Sequence, residues 1–191
     1  MENNFSKQEY VRKVIHLLIF FFGFFLLVFD FSYCLPVYIT ISISFILLDF
    51  LRLKNNKLNL FYHKFFGFVT RDIEKDRMTS ASYAFLSIII VILFFNVRTA
   101  ACSIVILSIS DVFASYVGVK HGKFKLGDKT LEGSLSFFIS TALILLFFKF
   151  SSLQIILVSL GCTAIELLSN KIKIDDNLGI PVIASILLTV L

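Results

Sequence analysis

Seven apolar runs, at roughly residues 14–29, 34–51, 81–97, 99–117, 133–150, 153–169 and 178–191, decide what solvent this chain can fold in. Most approach the ~20 residues that a helix needs to cross a bilayer core. The last is the shortest, at ~14 residues or ~21 Å of helix. With 58% hydrophobic and 16% charged residues in 191, a water-soluble fold could not cover its apolar surface. The expected architecture is therefore all-α, a polytopic integral membrane bundle of about seven transmembrane helices. It forms a single membrane domain over residues 1–191, without an internal repeat or a separate soluble domain. The first run follows Lys7, Arg12 and Lys13, as in a signal peptide, but no small-residue cleavage site follows Phe24-Phe25-Leu26-Leu27-Val28. It reads as a retained first helix.

Orientation follows from the basic residues. With alternating spans, sixteen of the 18 fall on one side, leaving Arg98 and Lys149 on the other. The positive-inside rule then places the N-terminus and every long connection in the cytoplasm, and the C-terminus outside. Tyr10, Tyr33, Tyr62, Tyr83 and Tyr116 fall near helix ends, where they suit an interfacial belt. The longest connection, 52–80, contains Leu58-Asn59-Leu60-Phe61-Tyr62-His63-Lys64-Phe65-Phe66, a mixture of aromatic and basic residues expected along the headgroup surface. Cys34, Cys102 and Cys162 each stand alone in an apolar run, a spacing that fits neither disulfides nor zinc. No feature points to nucleic acid.

The acids are more informative than the bases. Asp111 ends about ten uncharged residues and is followed by more helix. An ionisable group at membrane depth costs ~2.5–3.5 kcal/mol on insertion scales, which makes it a functional candidate. Helical spacing puts Asp111, Ser115, Gly118 and Gly122 on one small, polar face. Periodicity alone leaves two readings open, a ligand-binding face or a helix-packing stripe with a paired aspartate. Next comes Lys120-His121-Gly122-Lys123-Phe124-Lys125-Leu126-Gly127-Asp128-Lys129-Thr130-Leu131-Glu132-Gly133-Ser134, a basic, glycine-containing loop feeding a new helix. Thr130 suits an N-cap and Glu132 a first helical turn. Such a helix start flanked by lysines can receive phosphate, or it can be a solvated loop touching anionic lipid. It is not a Walker motif, because G-x-x-x-x-G-K-[ST] is absent.

Asp111-x-x-Ala114-x-x-x-Gly118-x-x-x-Gly122-Lys123, followed by Lys129-Thr130-x-Glu132-Gly133-Ser134, resembles the hallmark of membrane enzymes that use CTP on lipids. Those enzymes are the CTP-dependent lipid-alcohol kinases (dolichol, phytol and yeast-type diacylglycerol kinases) and, more distantly, the phosphatidate cytidylyltransferases. Further segments resemble the kinases in the same order. They are Arg12-Lys13-x-x-His16, Asp49-x-x-Arg52, Arg71-x-x-Glu74 with Thr79-Ser80-Ala81-Ser82-Tyr83, and Asp176-Asn177-Leu178-x-Ile180-Pro181. Thr130 stands where many of the kinases have serine. The long C-terminal signature of the cytidylyltransferases is missing.

The resemblance implies transfer of the γ-phosphoryl group of CTP to the hydroxyl of a membrane lipid alcohol, such as a polyprenol, another isoprenoid alcohol or diacylglycerol. It implies Mg²⁺ on Asp111 and Asp176, with Asp111 alternatively the general base, and Glu132 and His16 as further catalytic candidates. The triphosphate would meet Arg12, Lys13, Lys123 and Lys129, with Ser115, Gly118, Gly122, Thr130, Gly133 and Asn177 completing the nucleotide site. Asp49, Arg52, Glu74 and Glu166 are candidates for substrate contact or site support. His63 and His121 read as surface residues, and Asp175 as a solvated loop acid. A cytidylyltransferase and a small transporter are the alternatives. The one-sided placement of the polar motifs disfavours transport, which needs polar groups toward both faces.

Overall fold

The computed structural model describes residues 7–191, except the side chains of Lys7 and Ile73. It is all-α apart from one small hairpin. The helices are α1 (Lys7–Leu18), α2 (Phe20–Val28), α3 (Phe31–Lys54), α4 (Asn56–Phe66), α5 (Ser80–Phe94), α6 (Val97–His121), α7 (Leu131–Phe147), α8 (Ser152–Ile172) and α9 (Asp176–Val190). The hairpin pairs β1 (Lys125–Leu126) with β2 (Lys129–Thr130) in antiparallel register.

Every apolar run of the sequence is mainly helical, the first of them divided at Ile19 between α1 and α2, but lengths separate the runs into two groups. Four segments are long and apolar enough to cross a membrane: Gln8–Val28, Phe31–Lys54, Val97–His121 and Ser152–Ile172. The apolar helices α5, α7 and α9 have 15, 17 and 15 residues. At 1.5 Å per residue they reach about 22–26 Å, less than a ~30 Å hydrocarbon core. The sequence merged α5 and α7 with apolar residues of their flanking turns, whereas α9 matches its short run. Phe95 and Phe148 act as C-caps, outside the helices they follow.

The centre of the bundle is α6, which packs against α1, α2, α5, α7 and α9. Residues Thr99 to Ser108 of this helix are buried without interruption. They are mostly small or β-branched, so neighbours can approach on every side. Caps fix where the helices begin. Asn96, Thr130 and Ser151 accept the backbone N–H of Thr99, Gly133 and Gln154 at the starts of α6, α7 and α8. At the end of the bundle that carries Arg98 and Lys149, the Arg98 guanidinium donates to the carbonyls of Phe148 and Lys149 and lies over the Phe150 ring.

At the opposite, basic end, Arg52 is buried and organises the 56–80 connection. Its Nε donates to Asp49 Oδ1 at 2.5 Å. Its two terminal nitrogens donate to Asn59 Oδ1 and to the carbonyls of Lys75, Glu74 and Arg77 at 2.7–3.2 Å. The other Asp49 oxygen accepts Thr79 N at 2.7 Å and Ser82 Oγ at 2.6 Å, which fixes the start of α5. Every N–H of the guanidinium is thus used inside the protein. The Asp49–Arg52 pair supports the site's framework and has no donor left for a substrate. Arg52→Lys keeps the charge but loses the fork, leaving buried carbonyls unpaired. We expect a loss of about 3 kcal/mol. Thermal unfolding in detergent checks this, and an unchanged midpoint would refute the clamp.

Candidate functional site

Six charged or titratable side chains from five elements converge at the basic end of the bundle. On α6, Asp111 is buried at 9% exposure. Its Oδ2 receives Lys13 Nζ at 2.5 Å and lies 3.5 Å from His16 Nε2. Lys13 and His16 are three apart on α1, so one helical face delivers both. The same His16 nitrogen is 3.2 Å from the Leu107 carbonyl, one turn before Asp111.

The second half of the cluster is centred on Lys129. Its Nζ contacts Glu166 Oε1 at 2.8 Å and Asp176 Oδ2 at 3.1 Å. Glu166, at 2% exposure, is also held through its other oxygen by Ser134 Oγ at 3.0 Å. Burial works to lower the Lys129 ammonium, but the fields of Asp176, Glu166 and Asp111 outweigh it and raise it above its ordinary value. Asp111 therefore links the two halves, one lysine bound to it and the other within its field.

The hairpin explains how Lys129 arrives there. Gly127 turns the chain at φ +65°, in the left-handed region that favours glycine. Leu131 N donates to Phe124 O at 2.9 Å, and both Glu132 oxygens accept Phe124 N at 3.3 Å. Asn170 on α8 donates to Asp128 at 2.9 Å. Glu132 is thereby engaged with the base of the hairpin, whereas Lys129 is engaged with Glu166 and Asp176. Lys123 lies at that same base, on the exposed side.

The small face of α6 is a packing contact. A Cβ placed on Gly133 would stand 2.9 Å from Ala114 O and 3.2 Å from the Gly118 Cα, so α6 and α7 touch backbone to backbone. The Thr130 hydroxyl caps α7 at Gly133 N and also borders Gly118 and Gly122. Of the two readings left open by periodicity, Gly118 and Gly122 follow the packing stripe, with Gly133 of α7 packed against Gly118. Asp111, on the same face, belongs to the charged cluster. Ser115 is half-buried beside it.

Two acids beyond the cluster complete the picture. Glu74 lies 3.8 Å from Arg12 and accepts Arg71 N, Ser80 N and Ser80 Oγ. Burial pushes Glu74 up, but these hydrogen bonds and Arg12 together leave it below its ordinary value. Asp175 is not a solvated loop acid. It is half-buried, caps α9 by accepting Asn177 N at 3.0 Å, and also accepts Asn177 Nδ2 at 2.8 Å. Burial and then the neighbouring Asp176 push its carboxyl up to about 6. Asn177 is committed to Asp175 and Asp176. The D-D-N run gave no signal of which acid turns inward.

Among the described residues, no group of three His, Cys, Asp or Glu side chains forms a metal cage. A nucleotide-borne Mg²⁺ does not need one, since it keeps its waters and takes one or two carboxylates besides phosphate. Asp176, in contact with Lys129, and Asp111, within its field, are the carboxylates of the cluster that could take that limited role.

Fold and site define an all-α protein of membrane composition with a lysine–carboxylate cluster at one end of its helices. The chain belongs to the family of the uncharacterized protein RP860 of Rickettsia prowazekii (strain Madrid E). It is 33% identical to that protein over 183 residues, which cover 91% of this chain and 89% of the relative. It is also 36% identical to the uncharacterized protein MJ1137 of Methanocaldococcus jannaschii over 118 residues, 60% of each chain. No family model matches the chain. No solved structure matches it.

Proposed function

We propose that this protein is a CTP-dependent kinase of membrane lipid alcohols, a multi-pass bundle of seven spans with its site facing the cytoplasm. The observation that carries the reading is the pairing of Lys13 with Asp111 and of Lys129 with Glu166 and Asp176 at the basic end of the helices. Phosphoryl transfer requires positioned cations and carboxylates rather than a covalent intermediate. An arriving triphosphate competes for both lysines, and each ammonium that turns to phosphate releases a carboxylate.

Asp111 and Asp176, once released, would hold the Mg²⁺ that accompanies the nucleotide. When bound, the ion would neutralise charge on the phosphoryl oxygens. Lys129, kept in place by Glu166, bears on the transferred group. The lipid hydroxyl reaches the site at headgroup depth, attacks the γ-phosphorus, and CDP departs with the β–γ bridging oxygen. The proton of the attacking hydroxyl passes to Asp111 in the alternative in which that residue is the base rather than a metal ligand. His16 steadies the Asp111 carboxylate from the same face as Lys13. Short spans such as α5, α7 and α9 are tolerated where the bilayer thins locally.

Purified protein given γ-labelled CTP and a panel of lipid alcohols should yield labelled lipid and CDP. Unlabelled CTP should compete far better than ATP, GTP or UTP, because a base-reading site leaves buried groups unpaired with the wrong base. CDP-lipid with pyrophosphate release would identify a cytidylyltransferase instead. Equal competition by all four nucleotides would refute the CTP preference.

A further inference from the structure

Helix α4 begins one residue after the long apolar helix α3 ends, and it does not rejoin the bundle interior. Asn55 makes the turn, its Oδ1 accepting Lys57 N at 3.0 Å and Leu58 N at 3.4 Å. None of the eleven residues of α4 is buried. Its helical faces have distinct partners. Asn59 and Tyr62 face the bundle, where Arg52 donates to Asn59 and sits 4.8 Å from the Tyr62 ring centroid. Leu58, Phe61 and Phe65 form a second face, at i, i+3 and i+7, and are 44%, 63% and 52% exposed. Lys57 and Lys64, seven apart, flank that apolar stripe, and α4 contains no acidic residue.

We propose that α4 is a docking surface for an anionic bilayer leaflet, with Leu58, Phe61 and Phe65 among the acyl chains and Lys57 and Lys64 on lipid phosphate. The occupant follows from where α4 starts. Its N-terminus is fixed at the level where α3 leaves the hydrocarbon, and at ~16 Å it is too short to cross. A helix with an aromatic stripe bordered by lysines lies in the plane of the headgroups, held by apolar burial and by attraction to anionic lipid. The Arg52 clamp holds its remaining face to the protein, which sets its rotation and aims the stripe. The inference rests on α3 spanning the membrane and is independent of the kinase reading.

The test uses full-length protein reconstituted in phosphatidylcholine vesicles, with and without phosphatidylglycerol. Cys34, Cys102 and Cys162 are all buried, so a fluorophore on an introduced cysteine reports a single position. A label at Phe61→Cys should be quenched by nitroxide on lipid chains and shielded from aqueous iodide, more strongly with phosphatidylglycerol. A label at Leu60→Cys, about 100° around the helix from Phe61 on the far side of the lysine row and 73% exposed, should stay open to iodide and serves as the internal reference. Lys57→Gln with Lys64→Gln should remove the phosphatidylglycerol effect, a docking equilibrium about twenty-fivefold weaker at about fivefold per lysine. Iodide access at position 61 equal to that at position 60 would overturn the proposal. So would shielding indifferent to phosphatidylglycerol, or shielding that rises with protein density and marks a second copy as the occupant.

Discussion

Lys129→Met is expected to cost about 3–5 kcal/mol of stability, because it strands two carboxylates, one of them in the interior. Glu166, at 2% exposure, would keep only its hydrogen bond from Ser134, and Asp176 would lose its cation. Transfer should fall about 10²–10³-fold, the effect of removing one donor that bears on developing charge. The two losses can be separated. Lys129→Met combined with Glu166→Gln removes one stranded charge and should recover much of the stability, while transfer stays lost. Thermal unfolding in detergent gives the first quantity, and labelled lipid the second. A double variant no more stable than the single would show that Glu166 and Lys129 are not energetically coupled. The pH sense follows from the direction of the shift. The neighbouring carboxylates raise the Lys129 ammonium, so its contribution is complete below about pH 10, the ordinary lysine value. It is lost only as the pH climbs through the higher folded value. Stability lost near neutrality would have to come from another group.

The sequence made the helices legible because their apolar runs are long, and it made Asp111 legible because a carboxylate in such a run is costly. The order of the short motifs singled out Lys13, His16, Lys129 and Asp176, and the family resemblance added Glu166, residues that meet in the folded chain. The pairing among them was not legible. Lys13 is 98 positions from Asp111, and Lys129 is 47 from Asp176, separations that only helix packing resolves. The same holds for the glycines. Spacing placed Gly118 and Gly122 on the Asp111 face, but whether a ligand or another backbone fills the space depends on α7. Asp49 and Arg52 were legible as a pair three residues apart. Their use as a clamp on a connection up to 33 positions away was not. The hairpin escaped notice because two residues per strand carry no periodicity to read.

Asp111→Asn is the other substitution with a large expected effect. By insertion cost alone, removing this charge should leave a folded, inserted protein. The structure changes that expectation, since Lys13 lies 2.5 Å from Asp111 and would be left as an unmatched cation at 17% side-chain exposure. Asp111→Asn should therefore both abolish transfer and lower stability by about 3 kcal/mol. Asp111→Asn with Lys13→Met deletes the pair together and should restore most of the stability without transfer. The double variant then separates the two roles open to Asp111. If Asp111 holds the ion, CTP affinity measured by calorimetry should lose its dependence on Mg²⁺ in the folded double variant. If Asp111 is the base, Mg²⁺ should still strengthen CTP binding while no lipid is phosphorylated. Lys13→Met alone provides the control, because it retains the carboxylate and removes only its partner. Transfer surviving in the stable double variant would exclude Asp111 from both roles and leave it a structural ion pair.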